Sequence, residues 1–368
     1  MMVHLDTASA DPFVLEQMHA LVKKSRDRRD IGLEVLPVPL PGPGQVLIET
    51  EAVGLCGSDI HAINGHVGYE WMPERVTLGH EAVGRIVRTG ANVDSACIGN
   101  RVVPMAIDGC LECETCLSGA PQLCLERDCL GLSFDGALAQ YFVLDADRVF
   151  VIDNSLRASV AALIEPAAVA AHAVGQLAEN LRGRRVVVSG PGAVGILSCL
   201  FAAAAGADVE LVCPEAGPQT RREFAEHLGI KTIYGHHGLA AGPPVDAWIE
   251  ASGAEAAFSG AVESLRRGGT LVVVALFARA PSFDVNQMVR GELRLYGTYG
   301  YTRADYSTAH ELLVGWQDRL EPMVSTYHLT DVDAAISATE QASVIKAVVV
   351  PGGATKTITG STKDDLSH

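Results

Sequence analysis

The stretch Val187-Val-Ser-Gly190-Pro-Gly192-Ala193-Val194-Gly195-Ile-Leu decides the fold, because an apolar run breaks into spaced glycines and then turns helical. The three glycines have separate duties. Gly190 allows a tight turn, Gly192 lets a diphosphate approach the backbone, and Gly195 lets the helix lie close to the strand. Ala193 and Val194 open the helix, whose first N–H groups would face the anion. A glycine-rich turn that merely packs a helix has the same appearance, so the surroundings decide. Downstream, strand and helix patterns alternate over 209–213, 219–228, 245–250, 254–265 and 270–275, which predicts a doubly wound parallel sheet. The glycines therefore sit between the strand and the helix of a βαβ unit, the context that makes them a dinucleotide cradle. Leu276 and Phe277, just past the last of these strand patterns, join Gly190 to Gly195 as expected cofactor contacts.

The end of the second strand reports which dinucleotide fits. An acidic residue there binds the ribose hydroxyl of NAD, but this strand ends Leu211-Val-Cys213-Pro214, with Glu215 two residues past Cys213. Arg221 and Arg222, on the next helix, carry charge that suits a 2′-phosphate. The reading leans to NADP over NAD, the alternative being that both arginines are ordinary surface charge.

A chain of 368 residues with 48% hydrophobic and 20% charged content is long enough for two domains sharing a cleft. The net charge of -16 argues against nucleic acid or an anionic membrane as partner and for a small molecule. No apolar run of about 18 residues is present and the start lacks the regions of a signal peptide, so a cytoplasmic location is expected. Nine cysteines in such a chain suit thiolate chemistry better than a disulfide framework.

Upstream the pattern is β-rich. Residues 1–17 look like an extension, Met18-His-Ala-Leu-Val-Lys-Lys reads as an edge strand, and four prolines and two glycines break the chain over 36–44 before a strand at 45–53. Then Cys56-Gly-Ser58-Asp59-Ile-His61 puts a thiol, a hydroxyl, a carboxylate and an imidazole on one turn. Gly79-His80-Glu81 adds a second imidazole and carboxylate. Each group alone is consistent with a buried cysteine, capping residues or a structural histidine. Together they supply the S, N and O donors that zinc prefers, with Asp59 placed to orient His80. Glu165, ahead of Pro166 in an apolar helical stretch, is either a helix-terminal carboxylate facing water or a participant at the same metal. Cys110-Leu-Glu-Cys113-Glu-Thr-Cys116 and Cys124 read as a closed four-thiolate zinc site that fastens a loop, with Cys129 a less well spaced competitor for Cys124.

Taken in order, Cys-Gly-Ser-Asp-x-His, Gly-His-Glu, the four-cysteine loop and the glycine turn resemble the zinc-dependent medium-chain alcohol dehydrogenases over about residues 18–350. Leu163-Ile-Glu165-Pro166 and Gly300-Tyr-Thr-Arg-Ala-Asp305-Tyr are most similar to the polyol and 2,3-butanediol branch, with threonine dehydrogenases as neighbours. The resemblance implies an α/β protein. Its GroES-like β-rich catalytic domain would comprise 1–170 and 300–368, and a Rossmann domain would comprise 171–299. It implies a catalytic zinc held by Cys56, His80 and Glu81 or Glu165, and a structural zinc on Cys110, Cys113, Cys116 and Cys124. A proton path through Ser58 and His61, a dimer or tetramer, and hydride transfer between a secondary alcohol and NAD(P) complete the expectation. Tyr69, Trp71, Phe134 and Tyr299 are candidates for the substrate pocket. The rivals are a zinc-stabilised dinucleotide sensor or scaffold without turnover, and a zinc-free quinone reductase, which would need none of these ligands.

Overall fold

The computed structural model describes residues 17–177, 180–217, 219–235 and 242–352. The extension expected over 1–17 falls outside these, apart from Gln17, as does the tail expected over 355–368.

The strands Lys231–Tyr234, Asp208–Cys213, Arg185–Ser189, Val245–Glu250, Leu265–Val273 and Arg294–Gly297 form, in that spatial order, one six-stranded sheet. Every pairing is parallel. The central strands are continuous apolar runs because helices cover both faces: Val186, Val187 and Val188 are all fully buried. The order reverses between Arg185–Ser189 and Val245–Glu250, so the crevice beyond their carboxyl ends is where a ligand belongs. Two strands of this sheet gave no signal in the sequence. Lys231–Tyr234 and Arg294–Gly297 are four-residue edges with mostly exposed or half-buried side chains, and an edge lacks the buried face that produces a pattern.

The β-rich body is built from both ends of the chain. Gln45–Gly54 pairs antiparallel with Glu81–Thr89, with Tyr141–Asp145 and with Lys346–Val350, which in turn runs parallel to Val324–His328. The strand opened by Met18 is not an edge. Gln17–Lys23 lies between Ile31–Pro37 and Val76–Thr77, and its alternation is lost because Leu21, Val22 and Lys23 are all buried there.

The helix Ile164–Gly175 packs against the helices Ala193–Ala204 and Arg303–Leu320. One hydrophobic cluster runs from Ala52 and Val83 through Ala167 and Ala170 to Val186 and Ile249, so the two sheets share a core across this helix. Arg303–Leu320 extends well past the 305–313 expected from sequence, because Leu313 and Leu320 both reach the core. Its start is fixed by Thr302 and Asp305, which cap each other's backbone N–H groups. Asp305 also lies 2.9 Å from His172 Nδ1, tying this helix to Ile164–Gly175. Among the described residues no helix is long and apolar enough to cross a membrane.

Candidate active site

The strand Gln45–Gly54 delivers the chain into the short helix Gly57–Ile63, with Cys56 at its N-cap. Asp59 serves two neighbours. Its Oδ2 accepts the Cys56 N–H at 2.9 Å, and its Oδ1 lies 3.4 Å from His80 Nδ1. That contact turns Nε2 of His80 away from Asp59 and leaves it as the ring nitrogen available to a metal; it currently lies 3.2 Å from Ser58 Oγ. Donor atoms of Cys56, His80 and Glu81 all lie within 4.8 Å of one another. Burial alone would keep His80 neutral, yet Asp59 and Cys56 outweigh it and raise the ring well above its ordinary value. A buried set of anionic donors that draws a proton onto a histidine is a site built for a cation.

Glu81 is paired with Lys346, and both are buried. The pair exists because Gly54 stands between them: Glu81 is its cross-strand partner on one side, and Val348, two residues from Lys346, is its partner on the other. A Cβ on Gly54 would collide with the Glu81 carboxylate and lie 2.8 Å from Lys346 Cε. Burial would lower the Lys346 ammonium, but Glu81 and Cys56 hold it above its ordinary value.

Glu165 begins the helix Ile164–Gly175 and is buried, which excludes the reading in which it faces water. Burial, reinforced by Glu81, pushes its carboxyl up to about 7 against the opposing pull of His80 and Lys346. Tyr301 lies within electrostatic reach of it, accepts the Ile107 N–H at 3.1 Å on its hydroxyl, and stacks edge-on against Tyr306 at 4.8 Å. Tyr306 in turn donates to Pro104 O at 2.8 Å.

The four-cysteine loop is a separate lobe. The sulfur pairs Cys110–Cys116, Cys113–Cys116, Cys113–Cys124 and Cys124–Cys110 are 4.0, 3.5, 3.8 and 3.6 Å apart. A zinc about 2.3 Å from each of four tetrahedral thiolates requires sulfur separations of about 3.8 Å, so the cluster fits that ion. Burial and the neighbouring thiols push Cys116 up to about 12, and four thiolates so close need a cation to coexist. Cys124 is the fourth member. Cys129 is buried elsewhere, its thiol directed at Leu130 O, and it lies within electrostatic reach of His80 and Glu165.

At the reversal point of the parallel sheet lies a cavity of about 580 Å³ whose walls include Gly190, Gly192, Cys213, Arg221, Arg222 and Tyr234. Gly190 has φ +102°, and a Cβ on it would press on the Ala251 backbone at 2.8 Å. A Cβ on Gly195 would strike the Gly190 carbonyl, whereas one on Gly192 would meet nothing within 4 Å. Gly192 is thus the open face where a diphosphate can reach the backbone at the start of the helix Ala193–Ala204, whose first residues are Ala193 and Val194. The two arginines differ. Arg221 donates through Nε and Nη2 to Val344 O at 3.0 and 2.7 Å, so it is committed to the body carrying Lys346. Arg222 lies over the Tyr234 ring at 4.8 Å, and its buried Nε makes no hydrogen bond, its ion-pair partner Glu226 standing 3.9 Å away. Leu276 and Phe277 are not on the cavity wall. Leu276 is exposed, and Phe277 packs edge-on against Phe258 at 5.9 Å.

Of the pocket candidates, Tyr69 is within electrostatic reach of Cys56, Asp59, His80 and Tyr299, and burial, followed by Cys56 and Asp59, raises its phenol. Tyr299 lies under Arg127 and Phe134 under Arg148, while Trp71 is exposed. Sequence reasoning missed Lys346 and Tyr301, and weighed Cys129 only as a competitor for Cys124. A lone lysine inside Val344-Ile-Lys346-Ala-Val-Val-Val was itself a signal, since a cation in a buried strand demands an anion.

A protein with a doubly wound dinucleotide sheet, a buried Cys/His/Glu cluster and a four-thiolate lobe belongs to a definable class, and comparison with known proteins specifies it. The family model "Alcohol dehydrogenase GroES-like domain" matches residues 42–154, and "Zinc-binding dehydrogenase" matches 193–315. A sorbitol dehydrogenase of Bacillus subtilis is 33% identical over 332 residues, covering 85% of this chain and 90% of that protein. A 2-dehydro-3-deoxy-L-galactonate 5-dehydrogenase of Pseudoalteromonas atlantica is 32% identical over 312 residues, covering 81% and 88%. The crystal structure of 2R,3R-butanediol dehydrogenase from Bacillus subtilis superimposes with a TM-score of 0.81 at 26% identity, covering 91% of this chain and 100% of that one. A putative zinc-binding dehydrogenase of Sinorhizobium meliloti, bound to NADP, reaches 0.82 at 27% identity over 91% and 99%. The chain belongs to the zinc-dependent medium-chain alcohol dehydrogenases. It is an NAD(P)-linked alcohol oxidoreductase with polyol-dehydrogenase relatives, and the comparisons give no support to a non-catalytic scaffold.

Proposed function

We propose that this enzyme interconverts a polyhydroxylated secondary alcohol and its ketone with NADP as its preferred coenzyme. The observation that carries the coenzyme choice is Arg222, spread over Tyr234 on a cavity wall where Cys213 stands in place of a carboxylate, with no hydrogen bond on its Nε and Glu226 at 3.9 Å. A 2′-phosphate satisfies that guanidinium, while a ribose hydroxyl finds no acid at Cys213. Arg221 shares that wall but gives Nε and Nη2 to Val344 O, which leaves Nη1 for a phosphate.

Zinc supplies Lewis acidity toward the alcohol oxygen and nicotinamide supplies the hydride acceptor. The chain's own residues divide the remaining tasks. We assign Cys56, His80 and Glu81 as zinc ligands, since their donor atoms converge, and Glu165 as an acceptor beside the substrate, since it is buried next to that group without joining it. Ser58 and His61 move the hydroxyl proton outward. Ser58 and the Tyr69 phenol, kept protonated by burial, serve the substrate's further hydroxyls. A simple apolar alcohol would leave those groups without partners, which costs binding. The catalytic body comprises the segments on either side of the dinucleotide domain, about 1–170 and 300–368.

A second copy of the chain would dock on the exposed edge strand Arg294–Gly297, which carries exposed Leu295 and Tyr296, with Val285 and Val289 exposed on the preceding helix Val285–Gly291. Nine free cysteines and a nicotinamide coenzyme suit the cytoplasm. The test is absorbance at 340 nm across polyols, sugar acids and simple alcohols with each coenzyme. We expect polyhydroxylated substrates and NADP to give the highest kcat/KM. Turnover confined to monohydroxy alcohols, or to NAD, overturns the corresponding half of the reading.

A further inference from the structure

The helix Gly57–Ile63 ends in a way that does more than stop it. Asn64 is its C-cap, and Gly65 follows with φ +62°. The Gly65 N–H donates to Ala62 O at 3.1 Å and the His66 N–H donates to His61 O at 3.1 Å. This paired 5→2 and 6→1 arrangement brings the side chains at the third-last helical position and the second position past the cap into contact. In most proteins that contact is apolar. Here it joins two imidazoles, with His61 Nδ1 and His66 Nδ1 2.6 Å apart and ring centroids separated by 4.9 Å. His61 is half-buried and stacks on Tyr69 on its other side, while His66 is exposed.

Two ring nitrogens at 2.6 Å share one hydrogen, because two N–H groups cannot face each other at that distance. The pair therefore carries at most one charge, and the only ring nitrogen of His61 left to receive a proton from the site is Nε2. We propose that His66 is the outlet of the proton path, passing to water the proton that His61 takes from the active site. A proton arriving at His61 Nε2 is matched by transfer of the bridging proton from His61 Nδ1 to His66 Nδ1, and His66 Nε2–H is then lost to solvent. One proton enters, one leaves and no electron moves. The exposed His66 ring then swings out, and by exchange with water His66 moves its proton from Nδ1 to Nε2 and His61 moves its proton from Nε2 to Nδ1, which restores the starting tautomers with no net change in protons.

The surroundings favour this. His61 is lowered by burial and then by His66, so it stays neutral and ready to accept. The neighbouring charges, Glu340 and Arg29, are spent on Asn64 and on each other.

The proposal rests on His61 being the proton acceptor, and the test separates the two ideas. kcat and KM for alcohol oxidation are measured in dilute and in concentrated imidazole buffer for the wild type, His66→Gln, His61→Gln and Gly65→Ala. His66→Gln should lower kcat about tenfold in dilute buffer, short of the about 10²-fold at the low end of general acid–base effects. KM should be unchanged and concentrated imidazole should restore the rate. Gly65→Ala, which disfavours the positive φ, should behave similarly. Long-range 1H–15N spectra of the zinc-loaded, coenzyme-free enzyme should show the two rings titrating as one unit, and His61 alone moving back toward its ordinary value in His66→Gln. An unchanged kcat for His66→Gln beside an impaired His61→Gln overturns the outlet and keeps His61 as acceptor. An unimpaired His61→Gln overturns both. A loss in His66→Gln that imidazole does not rescue, or independent titration of the two rings, also overturns the outlet.

Discussion

The two metal centres of this enzyme are assembled in opposite ways. The four thiolates of the lobe come from fifteen consecutive residues, Cys110 to Cys124, on a loop that needs only its own turns to bring the sulfurs within 4.8 Å of one another. The catalytic cluster draws Cys56 from a helix cap, His80 and Glu81 from the start of a strand, Glu165 from a helix between two sheets and Lys346 from the last strand. A local site can close wherever its loop forms. A dispersed site exists only when the whole body has folded, which couples its geometry to every element that carries a donor. The lobe is thus a fastener, and the cluster is a reporter of the intact fold.

That contrast is open to attack, beginning with the largest effect. Cys56→Ala should cut turnover by about 10³-fold or more, several kcal/mol of lost Lewis-acid assistance. The lobe should meanwhile keep its ion, and metal analysis should show zinc content halved. Complete loss of zinc would mean that the two centres are not independent.

Next comes Lys346→Met, which strands the buried Glu81 charge and should cost about 3–5 kcal/mol in urea unfolding. The double variant with Glu81→Gln should recover much of that loss. If Lys346→Met alone were neutral, the pair would not be what holds Glu81.

Cys113→Ser attacks the fastener. Loss of a metal site is among the large single-residue effects, and about 3 kcal/mol corresponds to a fall in Tm of about 6–12 °C. Calorimetry reads the shift, and the KM for alcohol in the folded fraction should not change. Smaller again is Arg222→Ala. Removing charge-assisted hydrogen bonds worth about 1.5–3 kcal/mol should raise the KM for NADP by about 10–100-fold and leave NAD untouched. The about tenfold buffer-dependent effect at His66 is the smallest of the series.

The same local-versus-dispersed distinction explains what could be read from residues alone. The glycine turn was legible because its demands are local in part: Gly190 takes a positive φ, and a Cβ on Gly195 would strike the Gly190 carbonyl within the same strand-turn-helix. Short edge strands such as Lys231–Tyr234 were not, since an edge carries no buried period. Arg221 and Arg222 are equivalent in sequence and differently held: one donates to Val344 O and the other lies over Tyr234 with Glu226 at 3.9 Å. No pattern within the helix distinguishes them, because the distinguishing carbonyl lies 123 residues away.

Residue order therefore established the chemistry available: sulfur, imidazole and carboxylate donors, a phosphate cradle, and a tethered loop of four thiols, all set by short-range spacing. Tertiary structure decided which of those groups meet. It placed Glu165 in the interior and left a gap at Gly54 where Glu81 and Lys346 pair across three strands. It also tied Arg221 to the Val344 carbonyl. Those outcomes depend on contacts between residues far apart in the chain, whose register is set only when both ends of the chain pair into one sheet.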